Sequence, residues 1–377
     1  MPPSEAVREV ASNPPGMAGP ALLLTGVVLF CALYAPQPML PAIERLYAAP
    51  PGSAGAVMSA PLLALVLASW VYPRLRLRAG WVLGGGLAGV TVFGALAAYA
   101  PSLPLFVAFR FCQGSCIAAV PGLAFALVAH LYPDRTQALA GLLVSGNALG
   151  GALGRVLGGV VAELLGVREA ILLLSLPSLP LGFVFLRDRT RFQLPVARHE
   201  GSAWSLYGVG ATILFINLLV SNLLPYHLER SGWGQARIGV FYLAYLAGIA
   251  GASLGGIAAG RLGAPRALVS AFGLVLVSLV GMSLARSLLA LFVGFVAMLF
   301  GLFAAQGIAG GVAGRRGGGV SGTYVSAYYL GGGVSGLCVP LLLPRGFTAG
   351  LGVAVLVAVG ALGLSRRALR EPDPAGA

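Results

Sequence analysis

The chain has 377 residues, of which 58% are hydrophobic and only 9% charged, with a formal net charge of +13. Roughly 25% of a soluble domain is charged, so a water-facing surface cannot be built at this length, and lipid must be the solvent for most of the outside. The basic residues are all arginines, placed singly or in short clusters between apolar runs, which is the pattern of loops flanking a membrane rather than of a nucleic-acid-binding face.

Residues 1–19 contain Glu5, Glu9 and several prolines. They lack the basic start and small-residue cleavage site of a signal peptide and are read as a cytoplasmic N-terminal tail. A spanning helix needs about 20 apolar residues. On that criterion spans are expected at 20–43, 54–73, 80–100, 104–127, 138–162 and 168–186. A charged cytoplasmic loop follows at 187–203. Further spans are expected at 204–224, 237–259, 266–284, 287–308, 319–342 and 347–364, with a cytoplasmic tail over 365–377. With the N-terminus inside, sixteen arginines fall on the cytoplasmic side, six fall outside, and Arg110 and Arg155 remain within spans. That excess places both termini in the cytoplasm.

A weak internal repeat runs through these spans. Leu40-Pro41 closes the first span with Glu44 after it, and Leu224-Pro225 closes the seventh with Glu229 after it, the prolines being offset by 184. Gly150-Gly151-x-x-Gly154 recurs as Gly332-Gly333-x-x-Gly336 at an offset of 182, and Arg74 corresponds to Arg261 at 187. Three matches at nearly one offset predict an all-α membrane protein of about twelve transmembrane helices. They form two pseudo-symmetric six-helix bundles, over 20–186 and 204–364, around a central cavity. Parallel repeats of this kind enclose a site near the bilayer midplane.

The polar residues inside the spans are the candidate site. Span one carries Tyr34 and Gln37 among Pro36, Pro38 and Pro41, which break the helix ladder and allow bending. Arg110 lies about 10 Å inside span four at 1.5 Å per residue. A central arginine costs about 2.5–3.5 kcal/mol to insert, so its guanidinium is expected to face an aqueous cavity or a partner. Asn147 and Arg155 sit in span five, and Asn217 and Asn222 in span seven. Tyr242, Tyr245, Gln306, Tyr324 and Tyr328 extend the set through the second half. Glu44 and Glu163, near the external ends of their spans, are the acids placed to pair with Arg155; otherwise an anionic substrate would supply the countercharge. Gly146, Gly150, Gly154 and Gly158 recur every four residues, a stripe over which another backbone can approach closely. Cys112 and Cys116 share a helix face but have no further ligands near them, and read as apolar fillers. No metal ligand set, nucleotide-binding loop or catalytic triad is present in the sequence, so neither an enzyme nor a cofactor is expected.

The stretch Arg110-Phe-Cys-Gln113-Gly114 resembles the fourth-helix RxxQG signature of the major facilitator superfamily, in its twelve-span drug/proton antiporter branch. The resemblance implies that Arg110 faces the central cavity and serves proton or substrate coupling, that Gln113 supports its hydrogen bonding, and that Gly114 permits close packing. The span-five glycines resemble the same branch's antiporter signature, which would put them at the interface between the halves. Gly332, Gly333 and Gly336 take the matching place in span eleven. Arg155 stands where that signature has proline, and the segment from Ser145 to Arg155 is more similar to bacterial inner-membrane YnfM-type transport proteins. The loop signature after span two is reduced to Tyr72-Pro73-Arg74-Leu75-Arg76-Leu77-Arg78. Its second copy, Gly256 to Gly263, has Gly260 where the acid belongs. The implied function is secondary transport of a small organic solute, as a monomer in a bacterial inner membrane, in the direction of efflux by rocker-switch alternating access, with a proton as candidate coupling ion. The alternatives are a transport-inactive receptor or scaffold of the same fold and an integral membrane enzyme.

Overall fold

A computed structural model describes residues 18–72, 79–186 and 203–368. The reduced loop signature from Pro73 to Arg78, and with it Arg74 of the repeat, lies outside the described residues. So do most of the expected central loop and nearly all of both tails. Among the described residues the chain is helical, without a strand.

The first half runs α1 (Ala18–Tyr34), α2 (Leu40–Leu46), α3 (Gly55–Val71), α4 (Ala79–Ala98), α5 (Leu103–Leu131), α6 (Thr136–Leu164), α7 (Val167–Ser175) and α8 (Ser178–Leu186). The second runs α9 (Trp204–Arg230), α10 (Gln235–Phe241), α11 (Leu246–Leu262), α12 (Ala264–Ser283), α13 (Leu288–Arg315), α14 (Gly318–Leu337), α15 (Val339–Leu342) and α16 (Phe347–Ala368). The breaks have chemical causes. Pro36 and Pro38 have no N–H to continue the ladder, so α1 ends at Tyr34 and the chain passes through the 3₁₀ turn Gln37–Met39 before α2. Pro177 separates α7 from α8 in the same way, and Pro340 follows the 42° bend between α14 and α15. Gly263 ends α11 with φ of 80°, a left-handed conformation that glycine adopts without penalty.

Among the described residues nine helical segments, three of them joined pairs (α1–α2, α7–α8 and α10–α11), are long and apolar enough to cross a membrane, or ten if the bent α14–α15 pair is one span. The count of twelve is consistent with this but is not reached by length and composition alone. The Gly55–Ala68 stretch of α3 is a shorter apolar helix. The 29-residue α6 carries Arg155, Glu163 and the glycine stripe within its length.

Packing sorts the helices into two bundles. In the first, α1 packs on α6, α4 on α5 and α8, and α3 on α5; in the second, α9 packs on α14 and α16, and α13 on α11 and α12. The bundles meet through α3 against α14, α6 against α10, and the α1–α2 break against α9. This interface obeys the repeat. Gly239 of α10 lies against the α6 backbone at Arg155, Val156 and Gly159, while Gly55 of α3, offset by 184, lies against Gly336 of α14 and Val339 of α15. Matching pairs of contacts at one offset are what a two-fold relation between halves requires.

The glycine stripe has a different role from the one the resemblance implies. A Cβ at Gly150, Gly154 or Gly158 would collide with the backbones of Val27, Cys31 and Ala35 respectively, and Gly146 lies against the Leu23 carbonyl. All four neighbours belong to the α1 segment and its extension. The stripe therefore seals α6 onto the first span within one bundle, and it is Gly159, one residue beyond, that touches the other half. On α14 the division is similar: Gly332 packs on Leu214 and Leu218 of its own bundle, and Gly333 and Gly336 reach across to Leu63 and Gly55.

Candidate functional site

The α1–α2 break is the centre of the polar structure. Opening the ladder exposes carbonyls near Tyr34 and leaves Gln37, at 0% exposure, between the two halves. Arg110 of α5 fills the first need. Its Nη2 donates to Leu33 O at 2.6 Å and its Nη1 to Ala32 O at 3.3 Å, with Gln113 Oε1 accepting as well. Gln113 in turn donates to Val90 O at 2.9 Å and to Ser175 Oγ at 3.2 Å, tying α4, α5 and α7 together. Gly114 lets α5 close onto the backbone of Pro61. Arg110 is completely buried. Of the aqueous cavity or partner expected for it, the structure supplies partners: its Nη groups meet backbone carbonyls and an amide, because the proline-broken first span supplies acceptors that an intact helix would have used.

Arg155 of α6 occupies the position between the halves. Its Nε donates to Gln37 Oε1 at 2.5 Å and its Nη1 to Gly151 O at 2.7 Å. The ring centroids of Tyr34 and Tyr245 lie 4.0 and 3.8 Å from its Cζ, and that of Tyr242 lies at 5.8 Å. Cation–π contacts this close are worth about 2 kcal/mol when desolvated. Gln37 Nε2 donates to Asn222 Oδ1 across the interface at 2.6 Å. Behind that pair, Tyr245 Oη reaches Asn217 Oδ1 at 2.5 Å and Ser221 Oγ at 2.8 Å, and Tyr242 Oη donates to Ser221 O at 2.5 Å.

Of the residues expected from sequence, Tyr34, Gln37, Arg155, Asn217, Asn222, Tyr242 and Tyr245 come together here. Tyr328 is half-buried on α14, its ring edge-on to Tyr329 at 5.5 Å. Tyr324 pairs with Gln306 at 2.6 Å, apart from Arg155. Asn147 is not in the cluster; it packs against Gly26 of α1 beside Thr25 and Pro121. Ser221 was missed. Its position four residues after Asn217 and one before Asn222 was the available signal.

Glu44 and Glu163 do not pair with Arg155. Glu44 Oε1 accepts from the Ala54 N–H at 3.0 Å, at the start of α3, and from Tyr226 Oη of α9 at 2.5 Å. Glu163 Oε2 accepts from the Ala236 N–H at 2.7 Å, in the first turn of α10. Both acids thus join the halves at one end of the molecule, where Arg45 also forms an ion pair with Glu229 at 2.8 Å. A cavity of about 560 Å³ opens elsewhere, between α4 and α5, lined by apolar side chains such as Val92, Leu96, Leu105 and Phe109. No charged residue lines it, and it shares no residue with the Arg155 cluster.

Comparison with known proteins agrees with this architecture. A sequence model described as Major Facilitator Superfamily matches residues 22–336. An uncharacterized MFS-type transporter, YybF of Bacillus subtilis, is 24% identical over 328 residues, covering 78% of either chain. Solute carrier family 22 member 12 of Rattus norvegicus is 38% identical over 128 residues, which is 32% of this chain and 22% of that one. Among solved structures, a bacterial homolog to the human lysosomal transporter Spinster, inward-facing and occupied, superposes with a TM-score of 0.78 at 14% identity, over 94% of this chain and 96% of that one. A POT family transporter in complex with 5-aminolevulinic acid gives 0.74 at 14% identity, over 93% and 95%.

Proposed function

Since the chain belongs to the Major Facilitator Superfamily, we propose that it is a secondary transporter that moves a small organic solute by rocker-switch alternating access. The observation that carries this reading is the placement of Arg155. It is 1% exposed, at the seam between two repeat-related bundles, and held by residues of both. A charge at membrane depth marks a substrate or ion pathway by default.

The bundles are 20–186 and 204–364, with the cytoplasmic loop at 187–203 and tails at 1–19 and 365–377. The arginine excess puts the Glu44 end outside the cell, in a multi-pass inner-membrane protein with both termini cytoplasmic. On that orientation the structure is closed to the outside. The Glu44–Tyr226, Arg45–Glu229 and Glu163–Ala236 contacts hold the halves there. Export is the proposed direction. Arg155, Gln37, Asn222, Tyr34 and Tyr245 form the substrate site, with Tyr328 and Gln306 on the approach. Arg110 and Gln113 hold the first span in its broken shape, so their part in coupling runs through the position of Tyr34 and Gln37. A proton is the proposed coupling ion.

Flux in proteoliposomes, measured with and without a pH gradient, tests the reading. Solute-dependent flux that rises with the gradient and is lost in Arg155→Gln is expected. Ligand binding without flux under any gradient would replace it by the receptor reading.

A further inference from the structure

The orientation of Gln37 is dictated by its neighbour. The atom 2.5 Å from Arg155 Nε must be the amide oxygen, because a guanidinium has donors and no acceptor. Nε2 therefore faces Asn222 and donates to Oδ1 at 2.6 Å. That settles Asn222 as well. Its Nδ2 is left buried without a hydrogen-bond partner, in a side chain of 0% exposure. Buried donors are rarely left so.

Arg155 beside it is held by neutral groups: the Gln37 amide, the Gly151 carbonyl and the rings of Tyr34 and Tyr245. The ion pair recorded among the described residues is Arg45–Glu229, at the molecule's end. One uncompensated positive charge and one side chain with an orphan amide donor thus meet the two ends of the same glutamine amide. Two tyrosine rings within 4.0 Å of Cζ occupy the guanidinium faces, which leaves its edge as the approach for oxygens. A planar carboxylate meets that edge well.

We propose that the Gln37 amide oxygen stands in for the carboxylate of an organic monoanion. On binding, the carboxylate displaces Gln37 Oε1 from Arg155 Nε and takes the free Nδ2–H of Asn222 as its second donor. Gln37 swings away, and the Gln37–Asn222 bond that ties the halves is lost. Substrate charge is thereby linked to release of the seam. The inference rests on the transporter reading and names its substrate class: monocarboxylates on a flat body, one negative charge for one unpaired guanidinium.

The purified full chain in detergent micelles is titrated calorimetrically with benzoate, with its neutral analogue benzamide and with the cation benzamidine. Benzoate alone is expected to bind. Gln37→Glu supplies a permanent internal carboxylate and weakens benzoate at least tenfold. Gln37→Leu removes the competing acceptor and tightens it by about tenfold, the value of one charged hydrogen bond. A purely structural glutamine would make both variants weaker, and that result overturns the proposal. So does binding of benzamide or benzamidine in preference to benzoate by the unmodified chain, a comparison that needs no variant to fold. Benzoate binding without any flux leaves this site standing and removes the transporter reading. Flux of a neutral or cationic solute with no benzoate binding does the reverse.

Discussion

Arg110 and Pro36 should be energetically coupled although they lie on different helices. In an unbroken helix the carbonyl of Ala32 would accept from the amide four residues on, and that residue is proline. Leu33 is in the last turn of α1, whose carbonyls have no partner within the helix. Arg110 serves both, at 3.3 and 2.6 Å. Arg110→Ala orphans two buried carbonyls at about 1–3 kcal/mol each. Water entering the vacated space recovers part of this, so the expected loss is near the lower bound, about 2 kcal/mol. Arg110→Lys keeps a donor but not the fork that reaches two acceptors at once, and should lie between. Pro36→Ala restores an amide for Ala32 O. In that background Arg110→Ala should cost less, by about 1 kcal/mol, the value of one hydrogen bond. The assay is a double-mutant cycle on unfolding by SDS in mixed micelles. Additive losses, or no loss in Arg110→Ala, would refute the claim that this arginine closes the broken span.

The α6 stripe gives a steric prediction: Gly154→Ala drives a methyl into the Cys31 backbone and should cost about 1–3 kcal/mol. Gly256→Ala, with nothing within 4 Å, should be neutral or slightly stabilising in the same SDS unfolding assay; equal effects at the two sites would remove the packing account. The Arg45–Glu229 pair is 59% and 31% exposed, so Glu229→Gln should change stability by less than about 1 kcal/mol. Cysteines at those two positions joined by a flexible reducible cross-linker should nonetheless stop flux and restore it on reduction. Flux that persists through the cross-link would show that this end need not open.

The fold was legible because lipid as solvent leaves a coarse record. Long apolar runs, short connections and an offset near 184 between halves are set by bilayer thickness and by the repeat, not by individual contacts. The site was legible in its members and illegible in their partners. Tyr34, Gln37, Arg155 and Asn222 stand out as polar groups in apolar spans, and burial without water forces such groups to meet. Which groups meet depends on helix rotation, which composition does not encode. Glu44 and Glu163 were placed correctly near span ends, yet their oxygens go to α3 and α10 amides, because a helix start exposes N–H groups that attract a carboxylate. Arg110 and Arg155 look alike in sequence, as lone cations about seven residues deep. The difference lies in their surroundings: one faces carbonyls freed by Pro36, the other an opposing half.

That the seam follows the repeat has a consequence for its chemistry. On a two-fold axis a residue meets its own counterpart. Gln37 bonds Asn222 across a separation of 185, and Arg45 bonds Glu229 across 184, the offset at which Pro41 and Pro225 recur. In a perfect repeat each would face a copy of itself. Two arginines at 45 and 229 would repel. Two glutamines could still pair, but with no reason to prefer either amide orientation. Divergence has made each contact complementary, donor to acceptor and cation to anion. The asymmetry is what lets Arg155, present in one half only, fix the direction of the Gln37–Asn222 bond. In the other half the matching stretch around Gly336 carries Leu337 where the offset of 182 would place the arginine. A second guanidinium there would compete for the same amide and leave no single polarity. One charge on one side of a nearly symmetric seam gives the Gln37–Asn222 bond a single polarity.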